Sequence, residues 1–139
     1  MKYMLMMHYG ASSGEAGERP IHTWPPDDIK AHIDFMLRLN KELTKSGELV
    51  AAEGLASPDE VKVVRAQKGG PPAVTDGPFA EAKEFLAGFW IVDCDGPQRA
   101  IEIAGRASAA PGFAGAQMSI PIELRQVMSA PGDESVAQG

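Results

Sequence analysis

The sequence predicts an α+β domain with a ferredoxin-like βαββαβ plan and an inserted β-hairpin. Three observations support this prediction. Apolar runs at residues 3–9 and 85–93 have the length and alternation of strands. Residues 26–46 and 96–107 have a helical repeat with a proline in the first turn. A glycine- and proline-rich turn at residues 67–72 joins two short apolar segments, which is typical of a hairpin.

The length and composition are those of one globular domain. The chain has 139 residues, of which 44% are hydrophobic and 23% are charged. Splitting it would leave pieces too small for good cores. We therefore expect a single domain over residues 1–128 and a short polar C-terminal tail over residues 129–139.

The charge and the single cysteine limit the partners and the compartment. A net charge of −6 repels nucleic-acid backbones and anionic lipid, and no cluster of Lys or Arg offsets it. Cys94 has no second cysteine to pair with, so an oxidising compartment is not needed. Residues 1–9 are too short and too polar for a signal peptide, and no apolar run could span a membrane. The sequence predicts a cytoplasmic protein without nucleic-acid or membrane partners.

The first helix has the clearest boundaries. Pro26 suits its first turn, Asp27 and Asp28 suit its positive end, and Gly47 suits the position after its C-terminus. Its apolar stripe is predicted to comprise Ile29, Ile33, Met36 and Leu43, flanked by Leu37 and Leu39. For the second helix, Asp95 is the predicted N-cap.

The remaining strands are predicted at residues 48–55, 61–66, 73–75 and 120–128. In the strand at 85–93, strict alternation places Leu86, Trp90 and Val92 on one face, and Ala87, Phe89 and Ile91 on the other. The loop at residues 10–25 is longer than a simple connection needs, so it is either a mobile lid over a pocket or a tolerated surface insertion.

Two strands of the predicted sheet are apolar on both faces. These are the strands at residues 3–9 and 85–93, which lie at the centre of a ferredoxin-like sheet. Two helices can cover only one face of such a sheet, and a bare apolar face is a liability. We therefore expect a homodimer in which two sheets pack face to face.

The segment TDGPFAEAKE at residues 75–84, followed by LAGFW at 86–90, is the most specific signal in the chain. It resembles the DGPF-motif branch of the YCII-related family. The resemblance covers nearly all of residues 1–128 and extends to MKYM at 1–4, GEAG at 14–17, GL at 54–55 and IELRQV at 122–127.

The resemblance implies a dimeric α+β barrel made of two ferredoxin-like sheets. It also implies two kinds of function. One relative is a dehydrochlorinase acting on a chlorinated hydroxyquinol, in which a His–Asp pair is the proposed catalytic centre. Asp76 matches the aspartate, and the histidine belongs nearer Met36, where this chain offers His32 one turn earlier. Other relatives are encoded beside extracytoplasmic-function sigma factors, which indicates a regulatory role.

The catalytic candidates are Asp76, His8 and His32. Asp76 and Gly77 have turn chemistry, with unusual dihedrals expected at the glycine. The aspartate is either a structural turn residue that sets the register of the next strand or a general base at a pocket rim. His8, at the end of the first strand, and His32, on the flank of the helix stripe, are either packed side chains or its partner in proton transfer.

The ligand-binding candidates share a position near the predicted sheet end or the DGPF segment, and are Glu53, Gly77, Phe79, Lys83 and Trp90. Lys83 suits an anionic substrate, and Trp90 is either a core residue or the floor of a cleft. No paired spacing of metal ligands, phosphate loop or dinucleotide fingerprint is present, so no metal or cofactor is predicted.

Two functions follow from these candidates. The first is a small-molecule-binding protein with acid–base chemistry of the lyase or dehydrochlorinase kind. The alternative is a non-catalytic binding or regulatory module linked to sigma-factor signalling. An enzyme needs a carboxylate and an imidazole within hydrogen-bond reach of one substrate, or linked to it through one water, whereas a module needs only a cavity or an exposed patch.

Overall fold

The computed structural model describes residues 1–10, 23–56, 58–77 and 84–128, and the structural statements below concern these residues. Two α-helices and six strands follow one another as β1 (Lys2–Gly10), α1 (Pro26–Lys45), β2 (Leu49–Gly54), β3 (Lys62–Arg65), β4 (Ala73–Asp76), β5 (Glu84–Asp93), α2 (Pro97–Ser108) and β6 (Ile122–Gln126). The predicted α+β plan with an inserted hairpin is confirmed. Most of the loop at 10–25, including the predicted lid, and the tail at 129–139 lie outside the described residues.

The main sheet has four antiparallel strands in the order β2-β5-β1-β6. The two long strands are therefore central, and β2 and β6 are the edges. This order is the one that two split βαβ units produce, so the fold is ferredoxin-like. Strands β3 and β4 pair only with each other and form a separate two-stranded hairpin between β2 and β5.

Both helices pack on one face of the sheet, which holds the core. The buried side chains of this layer include Tyr3, Leu5, Met7, Trp90 and Val92 from the sheet and Leu39, Leu43 and Ile103 from the helices. All are at most 7% exposed, and burying each one contributes about 1.5–3 kcal/mol relative to exposure. We call this face the helix face.

The buried side of α1 differs from the predicted stripe. The buried residues are His32, Leu39 and Leu43, whereas Ile33 is 47% exposed and Leu37 is 62% exposed. The prediction was wrong for Ile33 because a polar residue takes a core position on this helix. Burial of His32 is tolerated because its ring nitrogen has a hydrogen-bond partner.

The positions of glycine and proline predicted the helix ends correctly, whereas the acidic residue Asp95 did not. Gly47, with φ +81°, follows the C-cap of α1 as predicted. The prediction of Asp95 as the N-cap of α2 was wrong, because the N-cap is Gly96 and no side chain caps it. Pro97 occupies the next position, where its missing N–H removes one of the donors that a cap would satisfy.

A β-bulge in β5 changes the face on which Leu86 lies. Met7 is opposite Gly88, but the next residue, His8, is opposite Leu86, so Ala87 is an extra residue in β5. Cross-strand partners share a face. Leu86 therefore lies with His8, and the alternation that predicted it beside Trp90 was wrong at this position because one extra residue inverts the pattern.

Candidate functional site

The second face of the sheet is largely apolar, and neither helix packs on it. Its central side chains are Met4, Met6 and His8 of β1 and Leu86, Phe89 and Ile91 of β5. Each of these six is half-buried, in contrast to the fully buried side chains of the helix face. We call these six residues the open face.

Charged residues of the two edge strands border the open face. Glu53 of β2 is opposite Phe89, while Glu123 and Arg125 of β6 are opposite Met6 and Met4. Glu53 and Glu123 thus lie at the two ends of one row across the sheet. Three strand spacings separate them, roughly 14 Å, so the two carboxylates of one chain are too far apart to act on the same small group.

One end of the sheet collects several of the candidate residues. Gly10 pairs with Glu84, and Gly54 pairs with Gly88, so β1 and β2 end where β5 begins. The β3–β4 hairpin connects β2 to β5 and therefore starts and finishes at this end, which we call the hairpin end. Among the open-face residues, His8 and Leu86 lie nearest to it.

Asp76 is the last residue of β4, and its side chain is 83% exposed. Its carboxylate accepts a short hydrogen bond from the Lys62 ammonium on β3, directly across the hairpin. A surface ion pair of this kind contributes about 0–1 kcal/mol. The carboxylate is thus held by one neighbour and is otherwise open to solvent.

Gly77 is explained by close packing and not by a special turn conformation. Its φ is not positive, so the expectation of unusual dihedrals was wrong. A Cβ at this position would lie 2.7 Å from Cγ1 of Val61 and 3.1 Å from Cγ2 of Val63. The Gly77 N–H also donates to the Val61 carbonyl at 2.8 Å. The glycine lets the chain pass close to Val61 and to Val63 of β3.

The two candidate histidines lie on opposite sides of the sheet. His8 is on the open face beside Leu86. His32 is on the side of the helices, where its Nδ1 is 3.0 Å from the Pro111 carbonyl oxygen and its ring meets Trp24 edge-on at 5.6 Å. One small substrate cannot contact both imidazoles. Among the hydrogen bonds of the described residues, none joins Asp76 to either histidine.

The hydrogen bond to Pro111 fixes the tautomer of His32. A carbonyl oxygen only accepts, so Nδ1 carries the proton and, in the neutral ring, Nε2 keeps the lone pair. The same connector is bound to α1 a second time, because the Ala114 N–H donates to the Asp28 carboxylate at 2.9 Å. His32 therefore has a structural role, which is to attach the 109–121 connector to the first helix.

The other ligand-binding candidates are dispersed. Trp90 is 6% exposed on the helix face, and its Nε1–H donates to the Asn40 side chain at 2.9 Å, so it is a core residue. Glu53 is exposed at the edge of the open face. Phe79 and Lys83 lie outside the described residues.

The sequence did not predict the two-fold hydrogen-bonded ion pair of Glu48 and Arg99. Both carboxylate oxygens of Glu48 accept hydrogen bonds from Arg99 at 2.8 Å, and one of them also accepts from the Ser46 hydroxyl. The Arg99 hydrogen bonds lower the pKa of Glu48 to about 2, and the pKa of Arg99 is raised by the same contact. The pair connects the start of β2 to α2. Its 51-residue separation left no local signal in the sequence.

A groove of about 370 Å³ runs between the two helices, on the far side of the sheet from the open face. It is lined by Phe35, Arg38, Leu39, Glu42, Arg106 and Ala109. Arg106 and Glu42 form an ion pair across it. None of the predicted site residues that the structure describes lines this groove.

The described residues contain neither a metal-binding cluster nor a membrane-spanning helix. Within ranges 1–10, 23–56, 58–77 and 84–128, no group of three or more His, Cys, Asp or Glu side chains could hold a metal ion. None of the described helices has the length and apolarity that a membrane span requires.

The fold and the site define a small ferredoxin-like α+β protein with one largely apolar sheet face that neither helix covers and a hairpin at one end of it. The YCII-related domain model matches residues 1–122, and the chain belongs to the YCII-related family. It is also similar to a protein of Rhizobium meliloti (strain 1021) that is described as uncharacterised. The two are 27% identical over 101 residues, which is 73% of this chain and 81% of that protein.

Proposed function

We propose that this protein is a homodimer that binds a small polar or aromatic molecule at the hairpin end of the open face and acts on it by acid–base chemistry. The observation that carries this proposal is the position of His8. It is an imidazole on a half-buried apolar surface, at the end of the sheet from which the hairpin bearing Asp76 extends. The proposal includes membership of the DGPF branch, which the motif at residues 76–79 supports.

The homodimer is supported by the composition of the open face. Five of its six side chains are apolar, and neither helix covers them. Face-to-face packing of two sheets about 10 Å apart buries such surfaces. A second copy offers the same apolar face through a two-fold axis, which is the commonest symmetry of homo-oligomers. The product is the dimeric α+β barrel that the resemblance to the DGPF branch implies.

The binding site is supported by the arrangement of polar groups around this apolar floor. The Cα atoms of His8 and Glu53 are separated by two strands and two residues along the sheet, roughly 12 Å. This distance leaves space over Leu86 and Phe89 for one small ring. A second sheet on top would exclude water and strengthen each polar contact inside the site.

The resemblance to a dehydrochlorinase implies that the acid–base reaction is an elimination. A general base removes a proton from the carbon next to the one that bears the leaving group, the C–H electron pair becomes a double bond, and the leaving group departs with its own electron pair. His8 or Asp76 can accept the proton, and the other residue can orient the base or the substrate. His8 is a better candidate for the base than His32, because the His32 ring is hydrogen-bonded to the Pro111 carbonyl on the other side of the sheet.

The second candidate function is a non-catalytic binding or regulatory module linked to sigma-factor signalling, as the resemblance implies. One observation favours it: Asp76 pairs with Lys62 and is 83% exposed. The surface ion pair accounts for this carboxylate without a catalytic role. For either function, the single cysteine Cys94 supports a reducing, cytoplasmic compartment.

The test compares Asp76→Asn and His8→Gln with a matched control, Asp34→Asn. Asp34 forms a surface ion pair with Lys30 on α1, as Asp76 does with Lys62 on the hairpin. A metabolite screen by thermal shift supplies a ligand, whose turnover is then followed. We expect the rate to fall by about 100-fold or more in the two site variants and to stay unchanged in the control. If Asp76→Asn and His8→Gln bind and turn over the ligand like the parent, the catalytic function is wrong. Binding without turnover by the parent indicates the module instead.

A further inference from the structure

The β3–β4 hairpin exposes an apolar pair. Val64 and Val74 are directly opposite each other, and they are 60% and 57% exposed. Lys62 and Asp76 are the next opposed pair on the same side, since they are two residues further along each strand. The other side carries Val63, which packs against Gly77 and is half-buried.

A hairpin of this size needs more contacts than its own strands provide. It has four residues in each strand, and an isolated two-stranded hairpin is marginally stable in water. An opposed pair such as Val64 and Val74 contributes little when both side chains stay in solvent. The exposed valine side is therefore the surface that a partner would stabilise.

The area of the open face indicates which partner this is. Even together with the outward residues of the two edge strands, the open face comprises four strands about 4.8 Å apart with three rows of side chains. This surface has an area of roughly 400 Å². A stable interface buries about 800 Å² on each partner. The open face alone therefore supplies only about half of the surface that a stable homodimer needs, and the missing surface must lie next to it. The hairpin leaves the sheet at the end of that face.

We propose that the hairpin is a dimerisation arm that packs its Val64–Val74 side on a second copy of this chain. The inference rests on the homodimer of the proposed function and extends it. A two-fold axis makes two such arms, one from each copy, at symmetric positions. Asp76 lies on the docked side, two residues from Val74, so docking brings the Lys62–Asp76 pair to the subunit interface. The acid–base site is then complete only in the dimer.

The experiment measures the dimer dissociation constant by sedimentation equilibrium. Val64→Asp places a charge on the docked side, and the Val64→Thr/Val74→Thr double variant keeps the shape and strand preference of valine. Ile101→Asp is the matched control, because Ile101 is 52% exposed on α2, in the helix layer on the far side of the sheet. We expect the dissociation constant to rise at least about 10-fold in Val64→Asp, less in the threonine variant, and not at all in the control.

Hydrogen exchange separates docking from a local change in the hairpin. In the parent, we expect the amides of β3 and β4 to be protected above the dissociation constant and to exchange faster on dilution below it. A parent that is monomeric overturns the homodimer and the arm together. If the parent is a dimer that Phe89→Asp dissociates, while the hairpin variants keep the parental dissociation constant, only the arm is overturned.

Discussion

His8 of β1 lies directly opposite Leu86 of β5, one residue away from the pairing that an unbroken ladder would give. The shift is the bulge at Ala87, whose carbonyl accepts the Leu55 N–H at 2.8 Å. Because of it, Leu86 turns to the open face and extends the apolar floor beside the imidazole. Next to the bulge, at Gly88, the β5 backbone lies close to the Glu53 carbonyl of the edge strand.

Gly88→Ala tests this close approach. A Cβ at Gly88 would lie 3.1 Å from the Glu53 carbonyl oxygen, so the backbone of β2 must move slightly away. We expect a loss of about 1 kcal/mol in the free energy of unfolding, measured by urea denaturation. Gly54→Ala is the control, since Gly54 pairs with Gly88 but has open space around it. Equal effects of the two changes would contradict a specific clash at Gly88.

Gly77→Ala tests the packing of the DGPF glycine. The new methyl group would collide with Val61, which is β-branched and has few alternative rotamers. We expect faster hydrogen exchange of the hairpin amides and a loss of about 1–2 kcal/mol. Val61→Ala removes the colliding methyl groups, so the double variant should lose less than the sum of the two single changes. Additive losses would show that the glycine acts in another way.

The ion pair of Glu48 and Arg99 predicts a pH dependence of stability. The pKa of Glu48 falls from 4.5 to about 2 on folding, so its stabilising effect is complete above pH 4.5 and is lost as the pH falls toward 2. Glu48→Gln should therefore lower the free energy of unfolding by about 1–2 kcal/mol at pH 7. The difference from the parent should shrink as the pH falls toward 2. A constant difference over that range would contradict the charge-based explanation.

Substitution of the two histidines should change the free energy of unfolding by different amounts. His32→Leu removes the part-buried hydrogen bond to the Pro111 carbonyl, so we expect it to lower the free energy of unfolding by about 1–3 kcal/mol. His8→Gln keeps a polar side chain on the half-buried open face and should change stability by less than about 1 kcal/mol. Chemical denaturation of both variants checks this order, and the reverse order would assign the structural role to His8.

The sequence was sufficient to predict the elements that glycines, prolines and long apolar runs define. The end of α1 at Gly47 and the start of α2 at Pro97 follow directly from backbone preferences. Alternation could not reveal the extra residue at Ala87, because a bulge leaves no mark in a run of apolar residues. Nor could it reveal that His32 is buried, since its partner, the Pro111 carbonyl, is 79 residues away and belongs to the tertiary fold.

The candidate site was predictable only as a set of residue types. Topology brings His8 and the hairpin of Asp76 to one end of the sheet, as a strand-end histidine and a motif aspartate suggested. Trp90, in contrast, is a core residue, because its position in β5 faces the helices and its indole N–H is bonded to Asn40. A sequence pattern predicts on which face of a strand a side chain lies. Its contacts across the sheet depend on strand order and register, which the pattern does not contain.

The open face as a homodimer interface is the central claim, and light scattering on the purified chain tests it most directly. The chain mass is 14.8 kDa. At micromolar concentration, we expect the parent and Ile101→Asp to have twice this mass, because Ile101 lies in the helix layer. Phe89→Asp should have the mass of one chain while remaining folded by circular dichroism. A parent that stays at 14.8 kDa, or a folded Phe89→Asp variant that stays at twice the mass, would contradict the account.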